Sequence, residues 1–509
     1  MAAMTRLRPS WLLLLPLWMT GSPAHAAAPD GPEASYDAPA GVLADAAGPC
    51  RRGAVDGAVF AAPDGDDAQD GTADRPVLTL DRVLGLLINT DARTAYLRGG
   101  TYLLAQPAVL GAGHAGVRLL GCPGERPVLQ GARDLPDALV VVSDTRGVTV
   151  AGLAFGPTTP GGSALILDRA SDCLIADNHS SDAGTAILLD HARGNRLQWN
   201  VIRNAARTGI ELRDASDDNL VEANWINGAG GPETHGGGIF LHGTQRNRIA
   251  SNLVENAAGM GIGIANWDAA TINLGNAVIG NTIRRVNLTA TDSGAIYLLG
   301  RSQLNTRTLI AANWVDGVGA MAGGALAGQA LAGAPGLEAQ RHNVGIYLDD
   351  STSGAVVVGN VVRNVRSDAV QIHGGSDNLV ANNILDLGPG APSAVLFQAA
   401  PADTNPTNAQ RGNEVTRNII VSASPAPKVY VWIEGGQPLI RRNLYYNALG
   451  ASMAGSLPVA DTDPILAGPG FADALGKGYA LAGDASVALI GFHPLAPPRL
   501  PAMARNAGQ

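Results

Sequence analysis

The chain has 509 residues, 46% of them hydrophobic and 16% charged, with a formal net charge of −9. That is enough chain for one large core or two domains and too apolar for intrinsic disorder. It is also too acidic for nucleic acid or an anionic membrane to be the main partner. Sixty-five glycines against 4% aromatic residues predict many tight turns.

Arg6 and Arg8 precede the apolar run WLLLLPLWMT, and residues 24–26 read AHA. A basic start, a short apolar stretch and small residues at a cleavage position predict a signal peptide over residues 1–26. The expectation is an exported protein, periplasmic or secreted, with a poorly ordered leader over 27–57. No later stretch is long and apolar enough to span a bilayer, so no membrane insertion is expected. Cys50 and Cys122 flank the first folded segment and either pair or stay reduced, whereas Cys173 stands at an apolar repeat position and is expected to be a buried thiol. No CxxC and no zinc-ligand spacing occurs, so neither a metal nor another cofactor is expected.

From residue 195 onward the chain repeats itself. NRLQWNVI at 195, NLVEANWI at 219, NRIASNLV at 247, NAVIGNTI at 276, NLVANNIL at 378 and NEVTRNII at 413 each enclose a β-like run between two polar residues five apart. The second asparagine of this pattern falls at Asn178, Asn200, Asn224, Asn252, Asn281, Asn313, Asn360, Asn383, Asn418 and Asn443. A period in the low twenties without helical periodicity predicts a parallel β-solenoid, one coil per repeat. Stacked asparagines would bond along its axis. The leucine-rich repeat consensus is absent, and a propeller needs about 40 residues per blade. The predicted fold is therefore all-β: a single-stranded right-handed parallel β-helix of ten or more coils over residues 58–447. A closing segment and tail fill 448–509.

A second strand aligns in successive repeats: ALILD at 164, AILLD at 186, GIELR at 209, GIFLH at 238, AIYLL at 295, GIYLD at 345 and AVQIH at 369. Its second and fourth positions are aliphatic and face inward by strand alternation. The third position, facing out, carries Glu211, Phe240, Tyr297, Tyr347 and Gln371. The fifth carries Arg213, His242, Asp349 and His373. Coils about 4.8 Å apart put each column in contact range, and aromatic rings beside acids and imidazoles suit a carbohydrate, offering flat faces and hydroxyl acceptors. At the other end of these strands stand His235, Asp292, His342 and Arg366. A glycine- and alanine-rich insertion, 317–340, emerges nearby and reads as a connection or flap.

The segment VFAAPDGDDAQDGTADRPVLTLDRVL, with AYLRGGTY after it, resembles the N-terminal cap of secreted parallel β-helix enzymes of the pectate-lyase-like superfamily. DSGAIY, GIYLDD and HGGSDNLVANNI are similar to stretches of β-helix glycoside hydrolases. The resemblance implies catalytic carboxylates at Asp292, Asp349 and Asp350, supported by His373. Substrate contacts would come from Glu211, Arg213, Phe240, His242, Tyr297, Tyr347 and Gln371. Asp349, Asp350 and His373 also resemble the polygalacturonase arrangement, although Leu299 stands where that family has a further aspartate. If the strand is fully extended, Asp292 lies roughly 20 Å from Asp349, beyond either glycosidase spacing. They can act together only if the chain curls back before residue 294. Asp350 is expected to leave the strand at Asp349 rather than point inward.

The reading is a poly- or oligosaccharide hydrolase, acting as a monomer. A polysaccharide lyase or uronate C5-epimerase, with Arg213 or Arg366 as the cation, is the alternative. A non-catalytic carbohydrate-binding or adhesive solenoid is the second alternative.

Overall fold

The computed structural model describes residue 50 and residues 57–132, 137–231, 236–319, 342–389, 393–400, 410–453, 460–472, 479–483 and 485–495. The signal peptide, most of the leader, His235, most of the 317–340 insertion and residues 496–509 lie outside them.

Three all-parallel sheets of 14, 14 and 12 strands wind along one axis as a parallel β-helix. The chain visits the first, second and third sheets in turn within each coil, as in Leu174–Ala176, His179–Ser181 and Thr185–Asp190. Parallel crossovers of this kind take the right hand. The N-terminal end is closed by the helix Leu80–Asn89, whose Thr79 side chain caps Arg82 N and whose Leu80, Val83, Leu84 and Leu87 are buried against the first coils. Cys50 is disulfide-bonded to Cys122, and Cys173 is a buried free thiol. The third-sheet alignment holds: Leu165, Ile187, Ile210 and Ile239 are register partners in a fully buried inner column. Within its span the alignment missed the coil Met260–Asn266, whose outward position is Gly263, paired with Phe240 and Tyr297, and it left out Ala108–Leu110, Ala138–Ser143, Val395–Gln398 and Tyr430–Trp432 at the two ends of the sheet.

All ten asparagines stack. From Asn178 to Asn418, each donates its backbone N–H and its Nδ2–H to Oδ1 of the next, at 2.9–3.1 Å. Nδ2 also donates to a main-chain carbonyl of the coil before, as Asn281 does to Ile249 O. Asp461 ends the ladder by accepting from Asn443 N and Nδ2. The residue before each asparagine is left-handed, from Asp177 to Arg442, and is glycine only at Gly280 and Gly359. Non-glycine residues resist that conformation by about 1–2 kcal/mol each, so the ladder holds a strained corner in register.

Beyond Asn447, Ile465–Leu466 adds a short rung to the second sheet. Tyr479, Val487, Ile490 and Phe492 then pack on the outside of that sheet, over Val361, Ile384, Ile419 and Leu444.

Candidate active site

The two longest strands of the third sheet are Asp292–Gly300 and His342–Asp349. Their register pairs Tyr297 with Tyr347 and Leu299 with Asp349, and Tyr347 pairs onward with Gln371, so the fifth column sets Asp349 beside His373.

Asp349 is 6% exposed. Its Oδ2 accepts from the Tyr297 hydroxyl at 2.7 Å, and its Oδ1 accepts from Asp350 N at 2.8 Å and lies 2.6 Å from His373 Nδ1. Burial opposes its charge, but the His373 and Tyr297 hydrogen bonds outweigh burial and hold the carboxyl below the ordinary carboxylate range. Burial likewise opposes the charged imidazole of His373, and the Asp349 hydrogen bond and charge outweigh it and raise that group.

The strand ends at Asp349. Asp350 and Ser351 both take positive φ, +37° and +71°, an uncommon conformation outside glycine. It turns the Asp350 carboxylate away from the apolar interior and onto Arg301, whose Nε and Nη2 both lie 2.7 Å from Oδ2. Two adjacent acids coexist because each has its own basic partner, His373 for Asp349 and Arg301 for Asp350.

Asp292 reaches this group through a bend. A Cβ on Gly294 would lie 2.7 Å from the Ile296 carbonyl oxygen and 2.9 Å from Tyr347 Cβ, so the chain kinks there in a way only glycine permits. The residues before the kink fold over the sheet. His342, the register partner of Asp292, stands edge-on to Tyr347 at 5.7 Å, and its Nε2 is hydrogen-bonded to Gln371 Oε1. The extended-strand estimate of the separation is therefore corrected: Asp292 feels Asp349. Partial withdrawal from water, then the Asp349 charge, raise the Asp292 carboxyl above its ordinary value. Asp292 is still exposed at the surface, so that withdrawal is one-sided rather than complete.

The outward column is not solvent-facing, which corrects the sequence expectation. Phe240, Tyr297, Tyr347 and Gln371 are 8%, 8%, 3% and 1% exposed. The rings cluster outside the coil with Met260, Leu299, Val344 and Trp267. Trp267 lies against Phe240 and His342 against Tyr347 and Gln371, and Gly263 makes room, since a Cβ there would lie 2.1 Å from Met260 Sδ.

The structure gathers Asp292, Tyr297, Tyr347, Asp349, Asp350, Gln371 and His373. It leaves Phe240 and His242 two coils from Tyr297 and three from Asp349, and Glu211 and Arg213 three and four, at about 4.8 Å per coil. Arg213 pairs with Asp190 at 2.6 Å, and the His242 ring lies 6.4 Å from that of Trp267. Sequence reasoning missed Arg301, Trp267 and Asp368. Asp368 is buried, bonded to Ser393 Oγ at 2.5 Å and raised chiefly by burial. Extending the alignment two residues past Leu299 would have found Arg301.

The donor atoms of Asp349, Asp350 and His373 lie within 4.8 Å of one another. They are committed to each other and to Arg301 rather than arranged about a cation. A cavity of about 140 Å³ beside Cys122, Glu125, Arg126 and Asp177 is remote from this group.

A family model described as periplasmic copper-binding protein (NosD) matches residues 136–318, less than half of the chain. Among the described residues of that stretch no three His, Cys, Asp or Glu side chains converge, so no step is derived through copper. No curated protein matches. Among solved structures, the catalytic domain of a GH87 alpha-1,3-glucanase in complex with nigerose is similar at 12% identity and TM-score 0.44, covering 72% of this chain and 62% of that one. The chain thus spans about three-fifths of the glucanase domain. A hyperthermoactive exopolygalacturonase from Thermotoga maritima is similar at 12% identity and TM-score 0.46, covering 72% and 87%. PfbA, a surface adhesin of Streptococcus pneumoniae, is similar at 10% and 0.44, covering 72% and 85%. Enzymes and an adhesin share this likeness, which concerns the fold alone.

Proposed function

We propose that the protein is an exported glycoside hydrolase acting on a poly- or oligosaccharide, with Asp292 as general acid and Asp349 as the ionised partner. One arrangement carries the reading: Asp349 is buried and bonded to His373 Nδ1 and the Tyr297 hydroxyl, which hold it low, while Asp292, within its electrostatic reach, is exposed and raised. Divergent environments of this kind assign acid and base roles. Asp292, which reaches solvent, gives its proton to the glycosidic oxygen as the C–O bond breaks. Asp349 either takes a proton from the attacking water, with inversion, or attacks the anomeric carbon itself, with retention. His373 and Tyr297 hold Asp349 charged and oriented. Asp350, engaged by Arg301, supports Asp349 rather than reacting.

A lyase or epimerase needs a cation facing a uronate carboxylate. The arginine at this site is already engaged by Asp350, which favours the hydrolase.

The test incubates the purified protein with neutral and uronate polysaccharides, following reducing ends and the ultraviolet absorbance of unsaturated products. Reducing ends without absorbance, lost by two or more orders of magnitude in Asp292→Asn and Asp349→Asn, are expected. Absorbance would establish a lyase. Neither signal, or full activity in both variants, would remove the proposed chemistry.

A further inference from the structure

Arg301 follows the strand that carries Tyr297, yet its contacts reach two other coils. Nε and Nη2 grip Asp350 Oδ2 from the coil before it, and Nη1 donates to Trp267 O, one coil further back, at 3.1 Å. The guanidinium is thereby fixed as a planar fork, a geometry lysine cannot reproduce. Asp350 is the residue whose backbone N–H donates to Asp349 Oδ1 and whose φ is left-handed. Its other carboxylate oxygen, Oδ1, lies 4.0 Å from His373 Nδ1, against 2.6 Å for Asp349. His373 thus stands between two carboxylates, and the arginine draws one of them off.

We propose that Arg301 is a positioning residue that sets the protonation of the Asp349–His373 pair by clamping and neutralising Asp350. The inference rests on the reading of Asp349 as a reacting carboxylate. The groups facing Asp349 are Asp350 and Tyr347 from its own strand and turn, Asp292, Tyr297 and Arg301 from the coil before, and His373 from the coil after. Arg301 supplies the permanent positive charge among them. Without it, Asp350 presents an uncompensated charge to His373 and to Asp349. A second anion nearby favours the protonated imidazole and disfavours the ionised carboxylate. The strained turn also loses its anchor, loosening the Asp350 N–H bond to Asp349.

The experiment titrates His373 by NMR in the full-length labelled protein, with Arg301→Gln, Arg301→Lys and the double variant Arg301→Gln/Asp350→Asn, and records pH–rate profiles on any sugar the parent cleaves. Arg301→Gln is expected to move the His373 titration upward by about one unit, corresponding to about tenfold in its proton affinity. It is also expected to move the acidic limb of the rate profile upward. Removing the Asp350 charge in the double variant restores both. Arg301→Lys keeps the charge and titrates near the parent, but loses turnover with the fork.

An unmoved His373 titration in Arg301→Gln, or a shift that persists in the double variant, overturns the proposal. Should Arg301→Gln fail to fold, the double variant and Arg301→Lys still decide it: a parent-like titration in both supports the clamp, and a displaced one in either refutes it. The NMR readout needs no activity. A protein that cleaves no sugar but shows the expected titrations keeps the clamp and loses the hydrolase reading, and the reverse result does the opposite.

Discussion

Tyr297→Phe isolates the hydrogen bond that keeps Asp349 ionised. The substitution removes one hydroxyl and retains the ring, which packs at 5.4 Å against Tyr347. What disappears is the 2.7 Å bond to Asp349 Oδ2, one of the contacts that oppose the effect of burial on this carboxylate. A hydrogen bond to a charged group contributes about 1.5–3 kcal/mol. At 1.36 kcal/mol per unit, the Asp349 carboxyl should rise by about one to two units. Because Asp349 is depressed in the folded state, its contribution to stability is present above the unfolded aspartate value of about 3.9. That contribution is lost as pH falls through the lower, folded value. The variant should therefore be less stable than the parent by about 1.5–3 kcal/mol near neutrality, with the difference closing under acid. Denaturant melts at a series of pH values measure this, and the acidic limb of any rate profile should move up in parallel. A stability difference that stays constant from neutral pH to well below both values would mean that the hydroxyl acts through packing alone. Tyr297→Ala is a different experiment. Emptying a buried ring costs about 3–5 kcal/mol, so the small stability change expected of an exposed side chain does not apply here.

Asn281→Ala removes a ladder rung that is 0% exposed and bonded to Asn252, Ile249 and Asn313. With several buried partners stranded at about 1–3 kcal/mol each, it should destabilise by roughly 3–5 kcal/mol, and a melt shifted no more than that of a surface alanine would refute the ladder's role. His373→Asn tests the other half of the ion pair. The imidazole is raised in the folded state, so its contribution is complete below the unfolded value of about 6.5 and is lost as pH rises through the folded one. The variant should flatten that part of the stability profile. Cys50→Ser opens a link spanning a sequence separation of 72, which by chain entropy contributes up to about 4 kcal/mol. The expected result is a lower melting temperature matched by the reduced parent, and a reduced parent that melts like the oxidised one would refute it.

The fold was legible because a solenoid writes one geometry many times. Each coil needs a residue that satisfies its own corner and the next, and asparagine does both through one side chain. Ten asparagines at a recurring position therefore marked ten successive coils and their common axis, whereas the coils before Asn178 carry no rung and went uncounted. The aliphatic inner positions of the third sheet were legible for the same reason, since strand alternation repeats with the coil. The left-handed residue before each asparagine was not legible, because the ladder tolerates Asp, Trp, Ala, Ser, Asn and Arg there and so leaves no composition signal.

The site was legible only as residue types in columns. Which of them meet depends on features that occur once. The kink at Gly294 carries Asp292 back over the sheet, and that glycine looks like any other in a sequence with sixty-five. Successive left-handed residues at Asp350 and Ser351 send the second acid to Arg301, where alternation alone would have buried it unpaired at a cost of several kcal/mol. The same kink explains the error about exposure. Alternation correctly assigned Tyr297 and Tyr347 to the outer face of the coil, but an outer face is solvated only if nothing folds across it. Here the strands run long, to nine and eight residues, and at their start the His342 side chain lies over the face against Tyr347 and Gln371. An acid-rich strand tip thus becomes a candidate active site when irregular backbone brings a third carboxylate and an arginine to it. That irregularity, rather than the repeat, is where mutation should separate chemistry from fold.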